Sequence, residues 1–295
     1  MGKTCDACTD SSCSAKHQRP GENTEDLHAR RQLAANLCEV RHTILVMSGK
    51  GGVGKSTVAV NLAMALALDG HSVGLLDVDF HGPSVPVLLG LEQEHPVMDD
   101  DRIVPIELAG LKVMTLGFFL EKTDTPVIWR GPKKISAIRQ LLAEVEWGAL
   151  DYLIIDAPPG TGDEPLSVCQ MVTNLTGAVI VTTPQKVALA DVSRSLSFCR
   201  ELNVRVLGLV ENMSGWVCPK CGETTDVFTT GGGEQLAQQS GTPFLGRIPL
   251  DPGIVLSGDE GKPFIHFREK TPSARAFMAM TNTLLKVIEG EKTCP

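Results

Sequence analysis

Short, nearly unbroken apolar runs recur along the chain, separated by stretches in which apolar positions return every three or four residues. Residues 43–47, 72–76, 111–116, 152–155, 178–181 and 204–210 form runs of the first kind. Residues 56–68, 133–145, 188–202 and 271–288 are of the second kind, and Leu27, Leu33 and Leu37 give a helical spacing over 25–40. Strands that lack polar alternation are buried on both faces, and strands alternating with helices build a parallel sheet covered on both sides. The pattern predicts an α/β fold, a mostly parallel sheet flanked by helices. Residues 1–24 differ: they are rich in Ser, Asp, Lys and Cys, with little to bury. We therefore expect a cysteine-bearing N-terminal extension over 1–40 and a single domain over 41–295.

Composition narrows the partners. Of the 295 residues 42% are hydrophobic, enough for a sizeable core, while aromatics make up only 4%, a poor supply for stacking nucleic-acid bases. The net charge of −8 argues against binding to DNA or anionic lipid by bulk charge. No apolar run approaches the ~20 residues that cross a bilayer, and the polar stretch 1–20 does not resemble a secretory leader. A cytoplasmic location is expected. In a reducing compartment, nine cysteines are better read as metal ligands, redox groups or core residues than as disulfides.

The first chemical motif stands where the 43–47 strand meets the 56–68 helix. It reads Gly49, Lys50, Gly51, Gly52, Val53, Gly54, Lys55, Ser56, Thr57. Glycines let the backbone wrap closely round phosphates with successive N–H groups pointing inward, and the helix end adds its positive dipole. In such a loop Lys55 reaches the terminal phosphates and the Ser56 hydroxyl can ligate Mg²⁺. Asp156, ending the 152–155 run, has the place of a Walker B carboxylate that holds Mg²⁺ through water. Asp77 and Asp79 end another strand, and carboxylates at the C-terminal ends of parallel strands are where α/β proteins place ligands.

Lys50, directly after the first glycine, makes the loop resemble the deviant Walker A of the MinD/ParA and nitrogenase iron-protein superfamily. That resemblance implies that Lys50 crosses a dimer interface to the partner's nucleotide. It also implies that Asp79, at the first switch, orients the attacking water, and that Asn212 and Pro249 contact adenine. Lys50, Lys55 and Asp79 are thus the expected catalytic residues.

The second motif is Cys218-Pro219-Lys220-Cys221-Gly222, within a stretch at 215–230 that interrupts the strand–helix alternation. Two thiolates spaced by two residues can face one metal centre in a tight knuckle, but one pair is half a site. Cys169 and Cys199 lie in helical apolar patterns and read as core residues. Two pairs meeting across a two-fold axis would complete the set, around zinc or a [4Fe–4S] cluster; spacing alone does not choose between them.

From Arg41 to Ile288 the chain resembles the Mrp/ApbC group of iron–sulfur cluster carrier ATPases and the cytosolic cluster-scaffold P-loop proteins of eukaryotes. The matching segments are 49–57, Asp79 with 82–84, 156–163, 211–214, 218–221 and 248–252. The resemblance implies ATP and Mg²⁺ as cofactors and slow ATP hydrolysis. It further implies a labile [4Fe–4S] cluster bridged by Cys218 and Cys221 of two copies, or of the chain and a related subunit, for transfer to apo iron–sulfur proteins. Neither nucleic acid nor membrane is an expected partner. Cys5, Cys8 and Cys13 resemble the scaffold branch's extension, in which four cysteines hold a second cluster. Here the last gap is one residue shorter and no cysteine precedes Cys5, so Cys38, Cys294 or a non-cysteine group would be the fourth ligand. Two other readings stand beside the carrier: an ATP-driven electron donor like the nitrogenase iron protein, and a MinD/ParA-like partitioning ATPase with a structural zinc.

Overall fold

The structure is a computed structural model that describes residues 17–18, 21–80, 82–100, 102–119, 131–218, 221, 223–267 and 270–290. It opens with helix α1 (Thr24–Leu37) and strand β1 (Val40–Ser48), which leads through the glycine loop into α2 (Lys55–Leu68). Then come β2 (Val73–Asp77), α3 (Val85–Leu89), a small hairpin of β3 (Val97–Asp99) and β4 (Arg102–Val104), β5 (Ile106–Leu108) and β6 (Leu111–Thr115). The middle of the chain forms α4 (Gly131–Glu144), β7 (Leu150–Asp156), α5 (Asp163–Met171), β8 (Leu175–Thr182), α6 (Lys186–Glu201) and β9 (Val206–Glu211). A second hairpin, β10 (Trp216–Val217) and β11 (Thr224–Thr225), precedes α7 (Gly232–Ser240), β12 (Phe244–Arg247), α8 (Pro252–Asp259), α9 (Phe264–Phe267) and α10 (Pro272–Glu289).

Eight strands form one sheet among the described residues, in the order β12-β9-β8-β1-β7-β2-β6-β5. Every pairing is parallel except that of β5 with β6. The predicted architecture is therefore present, with an antiparallel edge added. From β1 the chain crosses through α2 to β2 on one side, whereas from β8 it crosses through α6 to β9 on the other. Right-handed crossovers in opposite directions put α2 and α6 on opposite faces. Both faces are thus covered, which explains why β2 is buried at all five positions. The reversal of direction around β1 opens a crevice at the C-terminal strand ends, the usual ligand position in such sheets.

The predicted strands and helices appear with shifted ends. The helix expected to reach Val40 stops at Leu37, because Val40 pairs with Leu150 as the first residue of β1. The expected boundary at residue 40 therefore falls just after α1, which packs against α4. Buried Asn36 on α1 donates to the carbonyls of Leu142 at 2.8 Å and Val145 at 2.9 Å, satisfying orphan acceptors at the end of α4. Its own oxygen accepts from Arg102 at 2.7 Å. Replacing Asn36 by alanine leaves buried acceptors unpaired, and we expect a loss of about 2 kcal/mol. Urea unfolding of the nucleotide-free protein measures it.

Candidate nucleotide site and cysteine hairpin

The glycine loop is held from three directions. Gly160 N–H donates to the Ser48 carbonyl at 2.8 Å, the Ser48 hydroxyl donates to the Lys50 carbonyl at 2.9 Å, and the Asn212 amide donates to the Val53 carbonyl at 2.9 Å. Gly54 starts α2 at φ +78°, and a Cβ there would meet Asn212 Nδ2 at 2.3 Å, so the site requires glycine twice over. A Cβ on Gly49 would lie 2.5 Å from the backbone of Asp191 on α6. Toward Gly51 and Gly52, by contrast, an added Cβ meets nothing nearer than Pro159 at 3.8 Å, leaving an open cradle.

Two compartments meet at Gly54, Thr57, Ser84 and Leu88. One, about 280 Å³, is lined by the loop with Lys50, Lys55, Ser56 and Asp79. The other, about 260 Å³, has walls of Val87, Asn212, Met213, Pro249 and Ile254. A polar phosphate-sized chamber joined to an apolar one has the form of a nucleotide site. The expected binding residues Gly51, Gly52, Gly54, Lys55, Ser56, Thr57, Asn212 and Pro249 converge here, while Val53 is buried and contributes its carbonyl to the loop's fastening.

Lys55 lines the phosphate chamber and is paired with a buried carboxylate beneath it. Its ammonium donates to Asp156 Oδ1 at 2.5 Å and lies 3.2 Å from Ser56 Oγ. The cause is burial: Asp156 is fully enclosed at the end of β7, and an isolated buried carboxylate is costly. Burial raises the pKa of Asp156, with Lys55 and then the Ser56 hydroxyl pulling it back. Asp156 Oδ2 is buried and meets no donor at hydrogen-bond geometry. That unused acceptor suits a water on a divalent cation.

Asp77 and Asp79 divide their work. Asp77 is fully buried; its Oδ1 accepts from the Asp79 N–H at 2.9 Å and its Oδ2 from the Thr115 hydroxyl at 3.0 Å. Burial first, and then neighbouring Asp156, push its pKa up to about 8. Asp79 is the one that lines the phosphate chamber. Beyond it, buried Lys134 lies 5.6 Å from the Phe80 ring centre and 2.8 Å from Glu164 on α5. Sequence reading did not single out this contact, because an α4 lysine at an apolar spacing carries no signal of its partner.

The cysteine motif sits on the β10–β11 hairpin, where Cys218 N–H donates to the Glu223 carbonyl at 2.9 Å. Cys218 is half-buried and Cys221 exposed. No group of three or more His, Cys, Asp or Glu arranged for a metal occurs among the described residues. Burial pushes the Cys169 thiol up to about 11 and the Cys199 thiol to about 12, as befits core residues. Cys38 is exposed just past α1, and Cys5, Cys8, Cys13 and Cys294 lie outside the described residues.

The raised pKa of Asp77 fixes a sign. The folded chain keeps this proton between about pH 4 and 8, where the unfolded chain has lost it, so stability falls as pH rises through that window. Asp77→Asn imitates the neutral carboxyl. We expect the variant to match the parent near pH 4 and to be the more stable of the two above pH 8. Urea unfolding of both nucleotide-free proteins across this range is the check.

Comparison with known proteins agrees with the geometry. An iron–sulfur cluster carrier protein of Methanocaldococcus jannaschii is 45% identical over 291 residues, covering 98% of this chain and 99% of that one. The human cytosolic Fe-S cluster assembly factor NUBP2 is 48% identical over 264 residues, covering 88% and 96%. A nucleotide-binding protein of Archaeoglobus fulgidus, solved in complex with ADP, superposes with a TM-score of 0.73 at 39% identity, covering 84% and 96%. Among the described residues no helix is long and apolar enough to cross a membrane. Residues 39–285 match the ParA family described as NUBPL iron-transfer P-loop NTPase, and the chain belongs to that family.

Proposed function

We propose that this protein is an ATP-hydrolysing carrier that holds a [4Fe–4S] cluster between two copies of itself and passes it to apo-proteins. The observation that carries the reading is an incomplete thiolate pair, half-buried Cys218 and exposed Cys221, on a hairpin that springs from the wall of a nucleotide site. The cluster is cargo, and Cys218 and Cys221 of each copy supply its ligands. In this reading residues 41–295 form the ATPase domain with the hairpin at 215–230 as an insertion, and residues 1–40 form an extension whose Cys5, Cys8 and Cys13 bind a second cluster. A cytoplasmic setting and an acceptor of the iron–sulfur class follow from the same cargo. The human relative's name, a cytosolic assembly factor, supports both.

The nucleotide would lie with its phosphates in the glycine cradle and its base between Asn212 and Pro249. Ser56 and Asp156 fit Mg²⁺, which when bound neutralises charge between the phosphates. Binding gives the Lys55 ammonium an alternative to Asp156. Asp79, at the edge of the same chamber, holds the attacking water. Lys50 is half-buried, lines the phosphate chamber and has no ion-pair partner among the described residues, consistent with a cation completed by a second copy. A cation that reaches developing charge only in the closed dimer makes turnover depend on association.

Anaerobic reconstitution with iron and sulfide, followed by transfer to an apo-dehydratase, tests the proposal. We expect iron and acid-labile sulfide in equal amounts, and a Cys218→Ser, Cys221→Ser variant that loses the transferable cluster while still binding ATP. Zinc without sulfide in the reconstituted protein would refute the carrier reading. Lys50→Ala should keep nucleotide binding and lose hydrolysis by on the order of a hundredfold, measured as phosphate release.

A further inference from the structure

The excursion that bears Cys218 and Cys221 leaves the body at Ser214 and rejoins it at Gly231–Gly233, and one side chain stands at both places. Glu211, fully buried at the end of β9, accepts through Oε1 from the Ser214 hydroxyl at 2.5 Å and from the Gly231 N–H at 2.9 Å. Through Oε2 it accepts from the Gly233 N–H at 2.5 Å. Gly231, at φ +82°, is the N-cap of α7 and has no side chain to cap with, so the carboxylate serves those first N–H groups instead. Arg247 Nε lies 3.5 Å from Oε1, and the same guanidinium pairs with Glu234 on α7.

The next residues along the chain belong to the nucleotide site. Asn212 fastens the glycine loop, and Met213 lines the base compartment at φ +56°, a left-handed conformation that is strained for a side chain of this size. A backbone ladder then ties this segment to the opposite wall. Ile248 N–H donates to the Glu211 carbonyl at 2.9 Å, Ser214 N–H to the Ile248 carbonyl at 2.9 Å, and Leu250 N–H to the Gly215 carbonyl at 2.8 Å. Pro249 and Leu250 both line the base compartment. One edge of that compartment, at Met213, therefore continues along the chain into the hairpin, and the other, at Pro249 and Leu250, is hydrogen-bonded to the hairpin's base.

We propose that Glu211 is a positioning residue that couples the nucleotide compartment to the cysteine pair. By closing the neck of the excursion it makes the hairpin follow its base as a lever, so that a shift of Met213 or Pro249 around a nucleotide turns Cys218 and Cys221 with it. With an open neck the same shift is absorbed between Ser214 and Trp216. A carboxylate suits this position because it only accepts, and three donors converge on it; an amide of the same shape sets an NH₂ against one of them. The coupling rests on the nucleotide and cysteine sites proposed above, but its test needs no cluster.

The experiment is alkylation of the reduced, cluster-free, full-length protein by iodoacetamide, with the peptide carrying Cys218 and Cys221 followed by mass spectrometry and Cys38 as internal reference. Rates are compared without nucleotide, with ADP and with ATP, each at checked saturation. In the parent protein the rate at Cys218 and Cys221 should differ several-fold between nucleotide states. Glu211→Gln should bring the states together, and Ser214→Ala, which removes one donor and keeps the carboxylate, should narrow the gap. A purely structural Glu211 would alter all rates alike and leave their ratio intact. An unchanged ratio in either variant, or a parent protein with no nucleotide dependence, overturns the proposal. A parent that shows the dependence yet takes up no cluster would refute the carrier reading and leave this coupling standing.

Discussion

Three carboxylates, Asp77, Asp156 and Glu211, stand fully buried at the C-terminal ends of parallel strands, and the site is organised by how each is compensated. A buried, uncompensated charge costs several kcal/mol, so each must find a counter-charge, keep its proton or gather donors. Asp156 takes the first course with Lys55, Asp77 the second with its pKa near 8, and Glu211 the third with a hydroxyl and two backbone N–H groups, supplemented by Arg247 Nε at 3.5 Å. The three solutions have different consequences. An ion pair can be exchanged for a ligand, a retained proton can be lost to a nearby cation, and a set of backbone donors fixes geometry.

The sheet order brings these solutions to one crevice. β2 and β7 are neighbours in register, Asp77 opposite Asp156, which is why one carboxylate raises the pKa of the other. Lys55 can neutralise only one of them at close range, and it is the Asp156 oxygen that it reaches. A phosphate chain drawing Lys55 away would leave the buried Asp156 carboxylate without its counter-charge, beside a protonated Asp77, a place where a divalent cation entering with the nucleotide would be favoured. The case for Mg²⁺ proposed above thus rests on the apolar strands beneath the loop as much as on the loop itself.

Much of this was legible in the chain. Apolar runs without alternation marked the parallel strands, and the glycine loop, Asp79 and Asp156 sit at their C-terminal ends as their positions implied. What escaped shares a physical cause. β12 is four residues long and half-exposed, with Gly246 inside it, so it carries no periodic signal and exists because β9 offers it an edge. Lys134 and Glu164 are thirty residues apart and meet only after α4 and α5 pack together. Glu211 stood in a recognisable motif, but its partners at Gly231 and Gly233 become partners only when the excursion closes. Partnerships made by tertiary closure leave no local trace.

The position of the cysteine hairpin follows from the same topology. β9 lies two places from β1 across β8, so its end reaches the apolar compartment proposed to hold the base rather than the chamber proposed to hold the phosphates. On the proposed reading, a hairpin springing from there senses the walls round the base, whereas Lys50 and Asp79 face the phosphates. Base and phosphates belong to one molecule, but hydrolysis changes only the second. A hairpin tied to the base wall therefore reports whether the site is filled, and the phosphate side reports which nucleotide fills it. For the cysteines to distinguish ATP from ADP, the phosphate-side change must cross the floor of the site, and the Asn212–Val53 hydrogen bond is the direct link across it. Glu211 and Asn212, adjacent on one strand end, thus have complementary roles. Asn212 fastens the loop to the strand, and Glu211 fastens the strand to the hairpin.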